Sequence, residues 1–340
     1  MTQIRFGVRV PNSGPLSSVE NIAAAARRAE ELGFDSVWVH DHVVWSSEMH
    51  RHHISSGAHE ALADDQTADF YEALTTLGYL AAVTERITLG VACLVIPCRN
   101  PIYAAKQTIT LDHLTGGRLI VGVGLGSKAT HASNEFEVFE VEWRRRAGMT
   151  DDYLEAMHAI YEQPLATHHG RYVNFENAEI FPKSVQQPHP PLWVGGWTDR
   201  AALRAARLGD GWIPGWLSPS EMARGAKLIA ENTDREVTIA VEKLTAIART
   251  REEALERALP TVRTSSMTYE RDVDDIQFAL DRHIFGSVED VKQRIDQFVQ
   301  AGVTHFELKL LYATMDELFA QMELWAQEIL PEYAPAAVAP

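Results

Sequence analysis

Cysteine is nearly absent from this chain: Cys93 and Cys98 are the only two in 340 residues. They stand too close together in one extended segment to make a disulfide framework, and two thiols in a chain this long suit a reducing compartment. Long hydrophobic runs are missing too. No apolar stretch approaches the roughly 18 residues of a membrane span, and no signal-peptide pattern precedes Ile4, so a cytoplasmic protein without a membrane partner is expected. Nor is there a basic surplus. The 31 lysines and arginines face 47 acidic residues, a net charge of −16, which leaves nothing to neutralise the phosphates of a nucleic acid. What the chain does have is 46% hydrophobic residues, enough for a large core.

Strand and helix signals alternate from end to end. Residues 4–10 alternate at period two; Ser17 and Glu20 form a capping-box pattern before a helix that Gly33 ends. Residues 36–39 read as a second strand, Asp69 and Glu72 as the start of a second helix, and 87–95 as a third strand. Asn100-Pro101 opens a helix that Gly116-Gly117 closes, with Pro101 where its missing N–H costs nothing. Residues 119–123 make a fourth strand, and a helix is expected over 150–161. Later strands are expected at 192–194, 211–214, 237–248 and 303–310, with helices capped by Thr198, Ser218, Ser287 and Thr314. Eight strands, each followed by a helix, predict an α/β fold of the (β/α)8 TIM-barrel type, with a doubly wound sheet as the competitor. Three connections are too long for turns: 43–67 after strand two, 164–191 before strand five with a hairpin at 172–181, and 249–285 after strand seven. Residues 1–333 are expected to form a single domain and 334–340 a disordered tail.

The stretch 189–215 carries the sharpest local signal. Leu192-Trp193-Val194 is followed by Gly195-Gly196, then Trp197 and Thr198 at the start of a helix. Paired glycines let amides approach a ligand, and a helix N-terminus favours an anion, so this is a phosphate cradle without a Walker lysine. His40-Asp41-His42 ends strand two, with both histidines on one face and Asp41 on the other. His42 is placed for acid–base work, and Trp45 offers a flat surface for an aromatic ligand. His-x-His also fits two metal ligands of a hydrolase, but strands five and eight supply no partners, so no metal is expected. Gly122-Val123-Gly124-Leu125-Gly126-Ser127 lacks the spacing of a dinucleotide fingerprint and reads as a backbone platform for a planar ring, which Ser127 hydrogen-bonds.

These segments together resemble the luciferase-like monooxygenase superfamily, in particular its coenzyme F420-dependent branch. The matching runs are Ala29-Glu30-Glu31-Leu32-Gly33-Phe34-Asp35-Ser36-Val37-Trp38-Val39, Asp41-His42-Val43-Val44, Thr84-Glu85-Arg86-Ile87-Thr88-Leu89-Gly90, Arg99-Asn100-Pro101, and Leu111-Asp112-His113-Leu114-Thr115-Gly116-Gly117-Arg118 with its glycine series. Pro190-Pro191-Leu192-Trp193-Val194-Gly195-Gly196, Leu208-Gly209-Asp210-Gly211-Trp212 and Gly286-Ser287-Val288-Glu289-Asp290-Val291 complete the set. The resemblance implies a barrel binding F420, or alternatively FMN, at its C-terminal face, with a cis peptide at Ala92-Cys93 behind the central ring. It places the histidine matching His42 near the reactive ring, with Trp45 shaping the pocket. Cofactor binding is expected from Ala92, Cys93, Gly124, Gly126, Ser127, Gly195, Gly196, Trp197 and Thr198. The spacing of Trp45, and Ser127 where an acidic residue would stand, depart from the sugar-phosphate dehydrogenase members. The expected activity is hydride transfer between F420 and a small organic substrate. The alternative is an FMN-dependent monooxygenase using O2 and flavin reduced by an external flavin reductase. A noncatalytic flavin-binding barrel is a third class, and a homodimer is expected.

Overall fold

The computed structural model describes residues 3–45, 69–126, 134–264 and 276–334. In chain order the strands are β1 (Arg5–Arg9), β2 (Ser36–Val39), β3 (Thr88–Val95), β4 (Leu119–Gly124), β5 (Ala166–His169), β6 (Asn174–Ala178), β7 (Leu192–Gly195), β8 (Gly211–Ile213), β9 (Thr238–Ala248), β10 (Ile284–Ser287) and β11 (His305–Leu310). The helices are α1 (Val19–Leu32), α2 (Ala73–Val83), α3 (Pro101–Thr115), α4 (Glu135–Val138), α5 (Arg146–Glu162), α6 (Asp199–Leu208), α7 (Pro219–Ala230), α8 (Arg251–Thr264), α9 (Ile276–Leu280), α10 (Val288–Gln300), α11 (Met315–Glu328) and α12 (Leu330–Tyr333). Strands β1, β2, β3, β4, β7, β8, β9 and β11 pair in a parallel ring, and the β8–β9 pairing closes it. The (β/α)8 barrel expected from the alternation is the fold.

Side-chain alternation sorts each barrel strand between two cores. Val8, Val37, Leu89, Val121, Val194, Val241, Phe306 and Leu308 belong to the large buried cluster shared with the helices. The other face of each strand fills the lumen. There Trp38 and Trp193 stack at 5.5 Å, with Ala92, Ile120, Ile213 and Ala240 around them. Their bulk needs missing side chains opposite. A Cβ on Gly90 would lie 2.3 Å from the Trp38 ring, and one on Gly211 would lie 2.4 Å from that of Trp193. His305 meets both indoles edge-on, at 5.7 and 5.0 Å. The Ser36 hydroxyl accepts from Trp38 Nε1 at 2.8 Å and lies 2.9 Å from His305 Nε2, so its single proton is available to a neutral imidazole.

The structure also corrects several expectations. Ser18, not Ser17, caps α1, because the Ser17 hydroxyl is spent on the Gly14 carbonyl at 2.7 Å. Helix α2 is capped by Glu72 alone: Phe70 bridges to Ser13, which keeps the chain extended past Asp69. The helix expected at 150–161 begins four residues earlier, at Arg146. The hairpin is β5–β6, ending at Ala178 ahead of the cis Phe181-Pro182 bond rather than running to 181. The connection 249–285 is not one irregular loop. It holds α8, α9 and the start of β10, which pairs with the far end of β9 from Ile284↔Thr245 to Ser287↔Ala248. Most of the 43–67 insertion, including His50, His52, His53 and His59, lies outside the described residues, as do Ser127 and all of the expected tail except Ala334.

Burial holds the His305 pKa down to about 3 and that of His283 well below the ordinary imidazole value. Unfolded imidazoles titrate near 6.5, so below that pH the unfolded chain binds more protons than the native one. The stabilisation is complete above about pH 6.5 and declines as pH falls, by up to about 1.4 kcal/mol per unit for each histidine. Urea unfolding at pH 7.5 and 5.0 should therefore show a smaller loss for His305→Asn than for the wild type. That comparison separates His305 from lumen carboxylates titrating in the same range.

Candidate active site

Chain exits from the barrel strands meet at the C-terminal mouth. At the end of β2, Asp41 turns outward: its Oδ2 accepts from the Val95 amide at 2.9 Å, and its carboxylate pairs with Arg99, which also reaches Glu72 at 3.3 Å. This buried ion pair ties the exits of β2 and β3 together. His40 points the other way and is 5% exposed, 3.2 Å from the Ser13 hydroxyl, while its carbonyl accepts from Asn12 Nδ2 at 2.9 Å. Its partners make it a rim residue that fixes the β1 and β2 ends.

His42 follows on the same side and is 10% exposed at its side chain. Its Nδ1 lies 3.1 Å from Glu135 Oε2, and Glu135 Oε1 accepts from the amides of Val43 at 2.6 Å and Val44 at 3.1 Å. Burial works to raise the Glu135 pKa, but His42 and these amides outweigh it and hold the carboxyl below its ordinary value. An ionised carboxylate only accepts, so Nδ1 carries the ring proton in the neutral imidazole and Nε2 is the nitrogen that gains or loses one. The Trp45 ring lies against His42 at 4.6 Å and 31°. Phe70 closes the group edge-on, at 5.5 Å from His42, 4.8 Å from His40 and 5.5 Å from Trp45.

Across the mouth, the Ala92-Cys93 peptide is cis, and the β3–β4 register shifts between Val91 and Leu94. The Cys93 side chain fills the space over three glycines: an added Cβ would come within 3.2 Å of its Sγ at Gly122, 3.2 Å of its Cβ at Gly124 and 2.7 Å of its Sγ at Gly195. Burial, with Glu242 and Glu307 nearby, pushes the Cys93 thiol far up, so it stays protonated and unreactive; burial likewise raises Cys98 to about 12. Both cysteines are free. Gly126 packs on Phe136, next to Glu135, which joins the β4 exit to the His42 loop. Gly196 has φ +107°, and a Cβ there would meet only Ala201 Cβ, at 3.1 Å. Thr198 caps α6 by accepting from the Ala201 amide, which leaves the amides of Asp199 and Arg200 as donors of the first turn. Asp199 adds a negative charge there that Arg224 offsets at 3.0 Å. Trp197 is 39% exposed.

Beneath the mouth lies a charged layer that the sequence reading missed. Arg9 donates to both oxygens of Glu307, at 2.6 and 2.9 Å, and reaches Glu242 at 3.1 Å. Burial and the facing Glu242 push Glu307 up against the pull of Arg9; burial, then Arg9, lowers Lys309 to about 7. A signal was available in 305–310, where Glu307 and Lys309 alternate with apolar residues on a strand with both faces buried. Glu135 had no such signal: its contact with His42 spans 93 residues of chain.

A (β/α)8 enzyme with a histidine–carboxylate pair and a glycine-led helix N-terminus at its mouth is the class this geometry defines. The chain belongs to the luciferase-like monooxygenase family, whose model matches residues 1–305. An uncharacterised protein of Mycobacterium tuberculosis is 38% identical over 192 residues, 56% of this chain and 66% of that one, so the match falls just short of two thirds of the relative's length. An FMNH(2)-dependent dimethylsulfone monooxygenase of Pseudomonas putida is 32% identical over 151 residues, 44% of this chain and 39% of that protein. The crystal structure of monooxygenase RslO1 from Streptomyces bottropensis shares the fold with a TM-score of 0.79, at 22% identity, covering 97% of this chain and 100% of that one. No helix among the described residues is long and apolar enough to cross a membrane.

Replacing Glu135 by alanine removes the acceptor of the His42 ring and of the partly buried Val43 and Val44 amides. We expect Glu135→Ala to lower the free energy of unfolding by about 1–3 kcal/mol, read by urea titration, whereas Glu137→Ala on the exposed side of α4 should leave it within about 0.5 kcal/mol.

Proposed function

We propose that this enzyme is a flavin-dependent monooxygenase that takes FMN reduced by a separate reductase and inserts one atom of O2 into a small organic molecule. The site observation behind this reading is the His42–Glu135 pair held beside the Trp45 indole. The choice of carrier rests on the Pseudomonas relative, whose name specifies FMNH2. On the sequence alone F420 ranks first, and that relative reverses the order.

The residues present fit a phosphate-bearing ring cofactor. Gly196, with its positive φ and open Cβ position, and the first-turn amides of α6 suit the phosphate, with Thr198 holding the turn in shape and Trp197 at its edge. The strand ends at Ala92, Cys93 and Gly124 are the surface on which the ring would lie. Bound there, reduced flavin supplies the electrons that activate O2. His42 Nε2 holds or releases the proton that oxygen transfer requires, and Glu135 keeps the ring oriented with Nδ1 as the donor. Trp45 and Phe70 fix the imidazole from two sides and give the substrate an apolar wall.

Hydride transfer with F420 remains the second reading, carried by the motifs that match that branch of the superfamily. Carrier chemistry separates the two, because a reduced deazaflavin passes hydride and reacts poorly with O2. Anaerobic titration should show FMN binding at least tenfold more tightly than F420. With dimethylsulfone as the first substrate tried, label from 18O2 should enter the product and turnover should stop without O2. F420 binding the more tightly, with anaerobic turnover and no label, overturns the proposal in favour of hydride transfer.

The role of His42 has its own measurement. His42→Ala should lower substrate-dependent O2 uptake by about 10² while FMN affinity stays within a few fold. Affinity that collapses while the rate per bound flavin stays normal would make His42 a binding residue instead.

A further inference from the structure

At the opposite, N-terminal end of the barrel, three potential ligands converge from separate segments. His158 and Glu162 stand one turn apart on the same face of α5, and His189 comes from the segment that leads into β7. Their ligand atoms all lie within 4.8 Å of one another: Glu162 Oε1 is 3.3 Å from His158 Nδ1 and 3.8 Å from His189 Nε2. The tautomers follow from the other ring nitrogens. His158 Nε2 is 3.0 Å from the Leu208 carbonyl, and His189 Nδ1 is 2.9 Å from the Pro190 carbonyl. A carbonyl only accepts, so each neutral ring spends its one N–H there and turns a lone pair toward the same carboxylate oxygen. Three electron-rich atoms facing each other repel unless a second proton on one ring or a metal cation lies between them.

We propose that His158, Glu162 and His189 form a divalent transition-metal site, most suited to zinc, that the sequence reading did not anticipate. Two imidazole nitrogens and one carboxylate oxygen are a zinc donor set, and bonds of 2.0–2.2 Å in a tetrahedron put ligand atoms about 3.3–3.5 Å apart, near the 3.3 and 3.8 Å that separate Glu162 Oε1 from the two imidazole nitrogens. Hydrogen bonds from the second ring nitrogens to main-chain carbonyls are the usual support of metal-bound histidines. Tyr161 stacks on His189 at 5.2 Å and 28°, which fixes that ring further. Glu162 also borders a surface pocket of about 480 Å³ lined by Tyr161, Phe181 and Lys183. Lys183 does not compete for the carboxylate, because its Nζ donates to the carbonyls of Ile160 at 2.6 Å and Gln163 at 2.7 Å. Far from the mouth, the ion ties the end of α5 to the entry of β7, and through the Leu208 carbonyl to the end of α6. Its role is structural.

Zinc chloride titrated calorimetrically into the metal-stripped full chain should show one tight equivalent and raise the thermal midpoint. Glu162→Gln, at a residue half exposed and so tolerant of change, and His158→Asn should each weaken that equivalent at least tenfold and abolish the thermal shift. Cobalt(II) in its place should give visible absorption bands in the wild type that His158→Asn loses. Absence of a stoichiometric equivalent overturns the proposal, and so does one that both variants retain, which would place binding elsewhere, such as at His50, His52 and His53. Cofactor binding at the mouth should be the same in all three proteins, so this test does not depend on the proposed monooxygenase activity.

Discussion

Closing eight parallel strands into a ring leaves a lumen that side chains must fill, and the rest of this molecule follows from how that is done. Two tryptophans, Trp38 and Trp193, provide the bulk, and Gly7, Gly90 and Gly211 provide the room. An indole facing a glycine is a close-packed pair only in the correct register. A one-residue slip of β2 against β1 or β3 would drive a Cβ into the ring and turn Val37 and Val39 away from the helices. The Ser36 hydroxyl, shared between Trp38 and His305, adds a polar link across the same layer. This dry floor lets the next layer carry charge.

Above the floor, Arg9, Glu242, Glu307 and Lys309 replace an apolar filling with a network of opposite charges. Burying such groups costs several kcal/mol each unless they are paired and hydrogen-bonded, and the two-oxygen contact of Arg9 with Glu307 meets that condition. Side-chain exposure of 28% at Glu242 shows that the layer opens toward the mouth. The mouth therefore rests on a fixed field of charges rather than on hydrocarbon. Glu135 repeats the theme one level higher. A single buried carboxylate accepts from the His42 ring and from two loop amides, so the β2 exit and the segment after β4 hold one another in place.

Much of the architecture was legible along the chain because it depends on neighbours. Period-two runs, glycine stops at Gly33 and Gly116, and the caps Asn100, Ser218 and Ser287 are local signals, and each marks the element it announced. Where expectation failed, a competing contact had taken the residue. Ser17 was drawn to the Gly14 carbonyl, and the β-bridge at Phe70 delayed α2 until Glu72. Strand β10 escaped notice because its last residue, Ser287, reads as the cap of the next helix and Gly286 beside it as a break.

The sequence by itself determined the strand and helix alternation, the placement of His42 and Trp45 at one strand end, and the glycine turn before α6, since each signal lies within a few residues and answers to backbone geometry and alternation alone; closure into a ring rather than an open sheet was decided by the β8–β9 pairing. Tertiary structure decided which carboxylate serves His42, which charges share the lumen, and that His158 and His189, thirty-one positions apart, meet at Glu162. Those pairings join atoms that are remote in the chain, and electrostatic interactions fall off with distance in space, not with separation along the sequence.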